Sequence, residues 1–224
     1  MYERRPSVTY GLIAVNFIVW LMVNIFFTSR VQLSNFLSTF GVVPILLLNG
    51  QYLHSLVTYM FIHVDLIHIL LNMYALFLFG RDVETDVGSG RFLTVYLLSG
   101  VTAALFHIFY FAWFLSLECS PFVRPISPAC FIPSIGASGA IFGIMGSYLL
   151  FFPHRRLYAF LWFIPVVAPA YVVILSFIFI QTVFMLTTPF STVAYTAHVG
   201  GFIAGLLLSI PLRKRRPPEW YYYE

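Results

Sequence analysis

Residues 133–152 read PSIGASGAIFGIMGSYLLFF, an uncharged and largely apolar run long enough to cross a bilayer as a helix, for which about 20 residues suffice. Gly139, Gly143 and Gly146 recur at spacings of four and three, so they share one helix face. In lipid, a face of small residues lets a neighbouring backbone approach closely. Ser138 sits between Gly136 and Gly139 near the start of this run. A serine in a glycine-rich membrane helix is ordinarily a packing residue, or one that bonds back to its own helix carbonyls, so Ser138 acquires meaning only from its surroundings.

The rest of the chain repeats the apolar pattern. Of its 224 residues, 60% are hydrophobic and only 9% charged, too little polar surface to cover a water-soluble globule of this size. Hydropathy marks six spans, at 8–27, 63–80, 92–115, 133–152, 157–186 and 192–212, with a long, partly apolar first loop at 28–62. The fifth is long and broken by Pro165 and Pro169. The first carries Asn16 and Trp20 and lacks a small-x-small end, so it reads as a retained anchor rather than a cleaved leader. No repeat or heptad is present, and residues 1–224 read as a single membrane domain with a basic tail at 213–224.

Charge orients the spans. With the N-terminus inside, Arg4, Arg5, Arg81, Arg91, Arg155, Arg156, Arg213, Lys214, Arg215 and Arg216 all fall on the inner side, and only Arg30 and Arg124 fall outside. Ten of the twelve Lys and Arg on one side is a positive-inside pattern, implying both termini in the cytoplasm and, most simply, the plasma membrane. The basic ends suit anionic lipid rather than nucleic acid. Cys119 and Cys130, the only cysteines, share the outer loop between the third and fourth spans; the sequence leaves open a disulfide or two free thiols.

Polar side chains within spans are costly and therefore informative. The second span carries His63, His68 and Asn72, with His68 and Asn72 four apart on one face; the sixth carries His198 in AYTAHVGGFIAG, beside a small-residue face of Ala194, Gly201 and Gly205. Ser138, His198 and His68 each lie roughly five residues into their spans, about 8 Å below the outer surface at 1.5 Å per residue. Matched depth permits one site, in which His198 takes the proton of the Ser138 hydroxyl as it attacks a carbonyl. The Asn72 amide, the His68 imidazole and the Ser138 backbone N–H are candidate donors to the resulting oxyanion, each worth about 3 kcal/mol. No acidic residue lies near His198, so the expectation is a dyad.

These residues together resemble the rhomboid family of intramembrane serine proteases. The resemblance rests on Gly136-Ala137-Ser138-Gly139, on Ala197-His198-Val199-Gly200-Gly201 with Gly205, and on His63, His68 and Asn72 in order. It implies an all-α polytopic bundle of six transmembrane helices. It further implies Ser138 as nucleophile, His198 as general base, His68 and Asn72 as oxyanion-stabilising residues, and His63 as a structural or water-associated residue near the opening. Gly136 to Ser138 supply loop backbone, Gly139 belongs to the motif, and Phe142 packs on the His198 ring. Two positions depart from the family pattern: the Trp-Arg pair common in the first loop is replaced by His54-Ser55-Leu56-Val57-Thr58, and Phe142 stands where tyrosine is frequent.

The implied reaction is endoproteolysis of other proteins' transmembrane segments near the outer face, without metal or cofactor. A substrate helix hides its carbonyls in hydrogen bonds and must unwind locally first. The fifth span and the first loop are candidate gates. The main alternative is an inactive relative that binds and retains membrane clients, which has no need to keep Ser138, His198, His68 and Asn72 together. A transporter fits poorly without intramembrane carboxylates, and His63 and His68 are not spaced like a zinc hydrolase pair.

Overall fold

The computed structural model describes residues 5–113, 119, 128–161, 164–188, 191 and 193–213. Arg124, residues 114–115 of the expected third span and the tail beyond Arg213 lie outside them.

The chain opens with α1 (Ser7–Phe26), whose buried Asn16 bonds back to the Leu12 carbonyl at 2.8 Å and is thereby tolerated in a span. The first loop is built from short helices: α2 (Arg30–Phe40), α3 (Pro44–Leu48), α4 (Ser55–Thr58) and a 3₁₀ turn over Tyr59–Phe61. In the absence of the Trp-Arg pair, His54 anchors this loop: its Nε2 lies 2.9 Å from the Thr39 carbonyl, and the nearby Thr58 hydroxyl donates to the Phe40 carbonyl at 2.7 Å.

The second span differs at both ends from the expected 63–80. It begins at α5 (Leu66–Ala75), capped by Asp65, whose carboxylate accepts the His68 N–H at 2.7 Å, so His63 precedes the helix. It then passes through a π-turn (Leu76–Gly80) into α6 (Arg81–Val87). Polar residues do not end it, because Glu84 is buried and fully engaged: Val8 N–H, Thr9 N–H, the Thr9 hydroxyl and the Ser89 hydroxyl all donate to its carboxylate at 2.6–2.9 Å.

Next come α7 (Ser89–Trp113) and α8 (Ser138–Phe151). The helix expected from 133 starts only at Ser138, since Ser134 is paired in a bridge with Val42 and Gly136 turns the chain through a φ of +113°. Every residue of α8 from Gly139 to Tyr148 is buried, so this short helix is the axis around which the others pack. Cys119 and Cys130 are joined by a disulfide.

The fifth span, expected at 157–186 and broken at Pro165 and Pro169, is helical only after Pro169. Its first half is an antiparallel hairpin of β1 (Arg156–Leu161) and β2 (Ile164–Pro169), with Arg156 opposite Pro169 and Phe160 opposite Pro165. Pro165 and Pro169 disfavour helix, and a two-stranded ribbon has edges that accept proline. Helix resumes after Pro169 as α9 (Ala170–Thr187), followed by α10 (Tyr195–Ser209) and a 3₁₀ turn over Ile210–Leu212. Ala194 is the N-cap residue of α10.

Five helical segments among the described residues are long and apolar enough to cross a membrane: Ser7–Phe26, Leu66–Val87, Ser89–Trp113, Ala170–Thr187 and Tyr195–Leu212. With the shorter apolar α8 they form the polytopic helical bundle expected from the sequence.

Candidate active site

Glycine contacts determine how close α8 and α10 come. Gly201 meets the Gly139 carbonyl, Gly205 meets the Gly143 carbonyl, and a Cβ on Gly146 would stand 2.5 Å from the Phe202 carbonyl. On its other side α8 meets α7, where a Cβ on Gly139 would lie 2.7 Å from the Ala103 Cβ. The α8 glycines read from the spacing of four and three thus leave room for Ala103 and Ser99 of α7, while Gly201 and Gly205 of α10 bring its backbone directly onto that of α8.

This crossing brings Ser138 and His198 together, with Ser138 Oγ 2.8 Å from His198 Nε2. Both occupy the first turn of their helices, as does His68 in α5. The shared level holds, although Ser138 lies at the head of its helix rather than five residues inside it. There the N–H groups of the first turn have no carbonyl partner within the helix and present partial positive charge beside the Ser138 hydroxyl. Phe142, one turn on, stacks on the imidazole of His198 with centroids 4.4 Å apart and planes 9° from parallel. Its other neighbour is Phe177 of α9, stacked at 5.6 Å.

The approach to Ser138 is stitched to the first loop residue by residue. Ser134 exchanges two backbone hydrogen bonds with Val42 at 2.8 and 2.9 Å, Gly136 N–H donates to the Tyr59 carbonyl at 2.9 Å, and Ala137 N–H donates to His63 Nε2 at 3.3 Å. His63 is thus a fully buried support for the loop that leads to Ser138. Gly136 has φ of +113°, and a Cβ there would lie 2.7 Å from His68 Nε2, so only glycine satisfies both the backbone and the imidazole above it. His68 remains partly exposed beside this loop. Asn72 is buried and donates one amide hydrogen to the His68 carbonyl at 2.8 Å, leaving its second N–H for another acceptor.

Two features were not singled out from the sequence. Gln181, in the middle of α9, places its Oε1 2.6 Å from His198 Nδ1, the ring nitrogen opposite the one facing Ser138. It is the only amide or charged side chain in α9, and an intramembrane amide was the available signal. Behind the site, His107 of α7 pairs through Nε2 with the Ser134 hydroxyl at 3.1 Å and through Nδ1 with the Thr196 hydroxyl at 2.5 Å. These two contacts join the loop before Ser138, α7 and the first turn of α10.

A half-buried hydroxyl thus faces a buried imidazole where three helix starts converge, within a multi-pass helical membrane protein, an arrangement capable of acid–base chemistry. The Rhomboid domain family model matches residues 49–215, from within the first loop to the basic tail, and the chain belongs to the rhomboid family. Among its relatives are Rhomboid protein 1, mitochondrial, of Saccharomyces cerevisiae, 30% identical over 68% of this chain and 40% of that protein, and RHOMBOID-like protein 12, mitochondrial, of Arabidopsis thaliana, 28% identical over 94% and 60%. Rhomboid protease GluP of Bacillus subtilis is 28% identical over 93% of this chain and 35% of its own length. The chain thus spans between 35% and 60% of these relatives. Two of them are mitochondrial by name, which runs against the expectation of a plasma-membrane location.

Proposed function

We propose that this protein is an intramembrane serine endopeptidase in which Ser138 attacks a peptide carbonyl of a transmembrane substrate and His198 takes its proton. The observation that carries this reading is the 2.8 Å contact between Ser138 Oγ and His198 Nε2 at the buried crossing of α8 and α10. The hydroxyl proton moves to Nε2 as the Oγ–carbon bond forms, and the same nitrogen returns it to the leaving amine. A second cycle with water releases the acyl group. Negative charge on the carbonyl oxygen is met by the first-turn N–H of Ser138, by His68 and by the free amide hydrogen of Asn72.

Substrates are single-span proteins whose helix unwinds near the face opposite the one rich in arginine, with small residues before the scissile bond. Both termini lie on the arginine-rich face. Of the two gates suggested by the sequence, the first loop is stitched to the nucleophile's approach, whereas α9 is buried only at Ala170, Ile174 and Gln181. Substrate therefore enters past α9.

The test compares wild type with Ser138→Ala for cleavage of a single-span substrate in liposomes and for labelling by an alkyl fluorophosphonate. Cleavage and labelling that disappear together in the variant support the reading. A wild-type protein that neither cleaves nor labels would instead be a client-binding relative.

A further inference from the structure

A neutral imidazole carries one proton, and its position decides what the ring can do. To accept from Ser138, His198 must present a bare Nε2, so the proton must sit on Nδ1. The group that faces Nδ1 is the Gln181 side chain, 2.6 Å away and buried like the ring itself. A primary amide offers either an oxygen or an NH₂. Only the oxygen matches a working base, because an NH₂ would donate to Nδ1, force the proton onto Nε2 and turn the ring into a donor toward Ser138.

We propose that Gln181 is a positioning residue for the base: its Oε1 accepts the Nδ1 proton of His198, fixes the tautomer and ring orientation, and stabilises the imidazolium formed during attack. This rests on the endopeptidase reading above. Gln181 contributes a dipole in a place where a carboxylate would be costly to bury in lipid. Its backbone belongs to α9, whereas Ser138 and His198 belong to α8 and α10, so the alignment of the base depends on a third helix. Among the described residues, the titratable groups that act electrostatically on His198 are the imidazoles of His68 and His107, and its side-chain hydrogen bonds are to Ser138 and Gln181.

The test uses the full chain in detergent and reads the rate of Ser138 labelling by a small fluorophosphonate alongside cleavage kinetics. Gln181→Met, similar in volume, is expected to slow labelling and kcat by roughly 10- to 100-fold, the loss of one hydrogen bond to a charged group, with KM within about twofold of wild type and thermal unfolding preserved. Gln181→Glu restores the acceptor: its labelling is expected near the wild-type rate at high pH and to fall as the new carboxyl is protonated, a limb that wild type lacks. A purely packing role predicts neither the rescue nor the limb. Independently of any variant, ¹⁵N-histidine NMR of the wild-type protein is expected to show neutral His198 protonated at Nδ1. A folded Gln181→Met that labels at the wild-type rate, a folded Gln181→Glu that stays as slow as Met at every pH, or a His198 protonated at Nε2 overturns the proposal. Wild type and Ser138→Ala run beside them: an unlabelled wild type sinks the endopeptidase reading, whereas a labelled wild type matched by Gln181→Met sinks this inference alone.

Discussion

Gly201 of α10 lies directly against the backbone carbonyl of Gly139 on α8, with no room for a Cβ between them. The contact is three residues from His198 and one from Ser138, so the separation of the two backbones and the reach from base to hydroxyl are set by the same crossing.

Gly201→Ala is therefore expected to spread α8 from α10 and to cost about 1–3 kcal/mol in stability. A misplacement of the base near 1 Å should lower kcat/KM about 100-fold. Fluorophosphonate labelling and thermal unfolding, measured on the same preparation, check both effects. Full activity in the alanine variant would mean that the crossing does not set the dyad distance.

Gly136→Ala tests the loop ahead of the nucleophile. Its φ of +113° and the imidazole of His68 both reject a Cβ, and the backbone strain alone is of order 1–3 kcal/mol. Because the strain falls beside Ser138 rather than in the bundle core, catalysis should fall by at least about tenfold while the unfolding temperature moves by only a few degrees. A variant whose stability collapses but whose residual folded fraction retains full kcat contradicts this.

Glu84 is expected to matter for stability and not for chemistry. Its carboxylate accepts from Val8, Thr9 and Ser89 and is almost completely buried. Glu84→Ala leaves those donors without a partner and should cost about 3–5 kcal/mol. Reversible unfolding in mixed micelles would measure the loss, and the rate of Ser138 labelling in the remaining folded protein should be unchanged.

The Cys119–Cys130 bond makes a mass prediction. Protein purified without reductant should weigh two hydrogens less than the reduced form and resist alkylation. Reduction should lower stability by about 2–3 kcal/mol, as expected for opening a short covalent loop. Alkylation of both cysteines before reduction would refute the bond.

Much of this architecture is legible in the residues. Apolar runs locate the helices, glycine spacing foretells the backbone crossing, and isolated polar residues in Ser138, His198, His68 and Asn72 mark where the helix starts converge. What hydropathy cannot read is backbone state. Leu157, Tyr158 and Val166 are as apolar as any helix residue, so the hairpin was indistinguishable from a span despite Pro165 and Pro169. The same blindness placed Ser138 within a helix that in fact begins at it. Gln181 escaped for a different reason: it stands 17 residues before its partner, in no motif, and its meaning depends on which face of α9 turns inward.

That inward face is narrow. Ala170, Ile174 and Gln181 form a single stripe down α9, and Phe177 beside it stacks on Phe142, whose other side holds the His198 ring. A helix so lightly held cannot swing outward without drawing Gln181 off the imidazole and Phe177 off its stack in the same movement. If substrate enters past α9 as proposed, opening the lateral door and slackening the base are one event, and the hydroxyl reaches full reactivity only when the door has shut behind its guest.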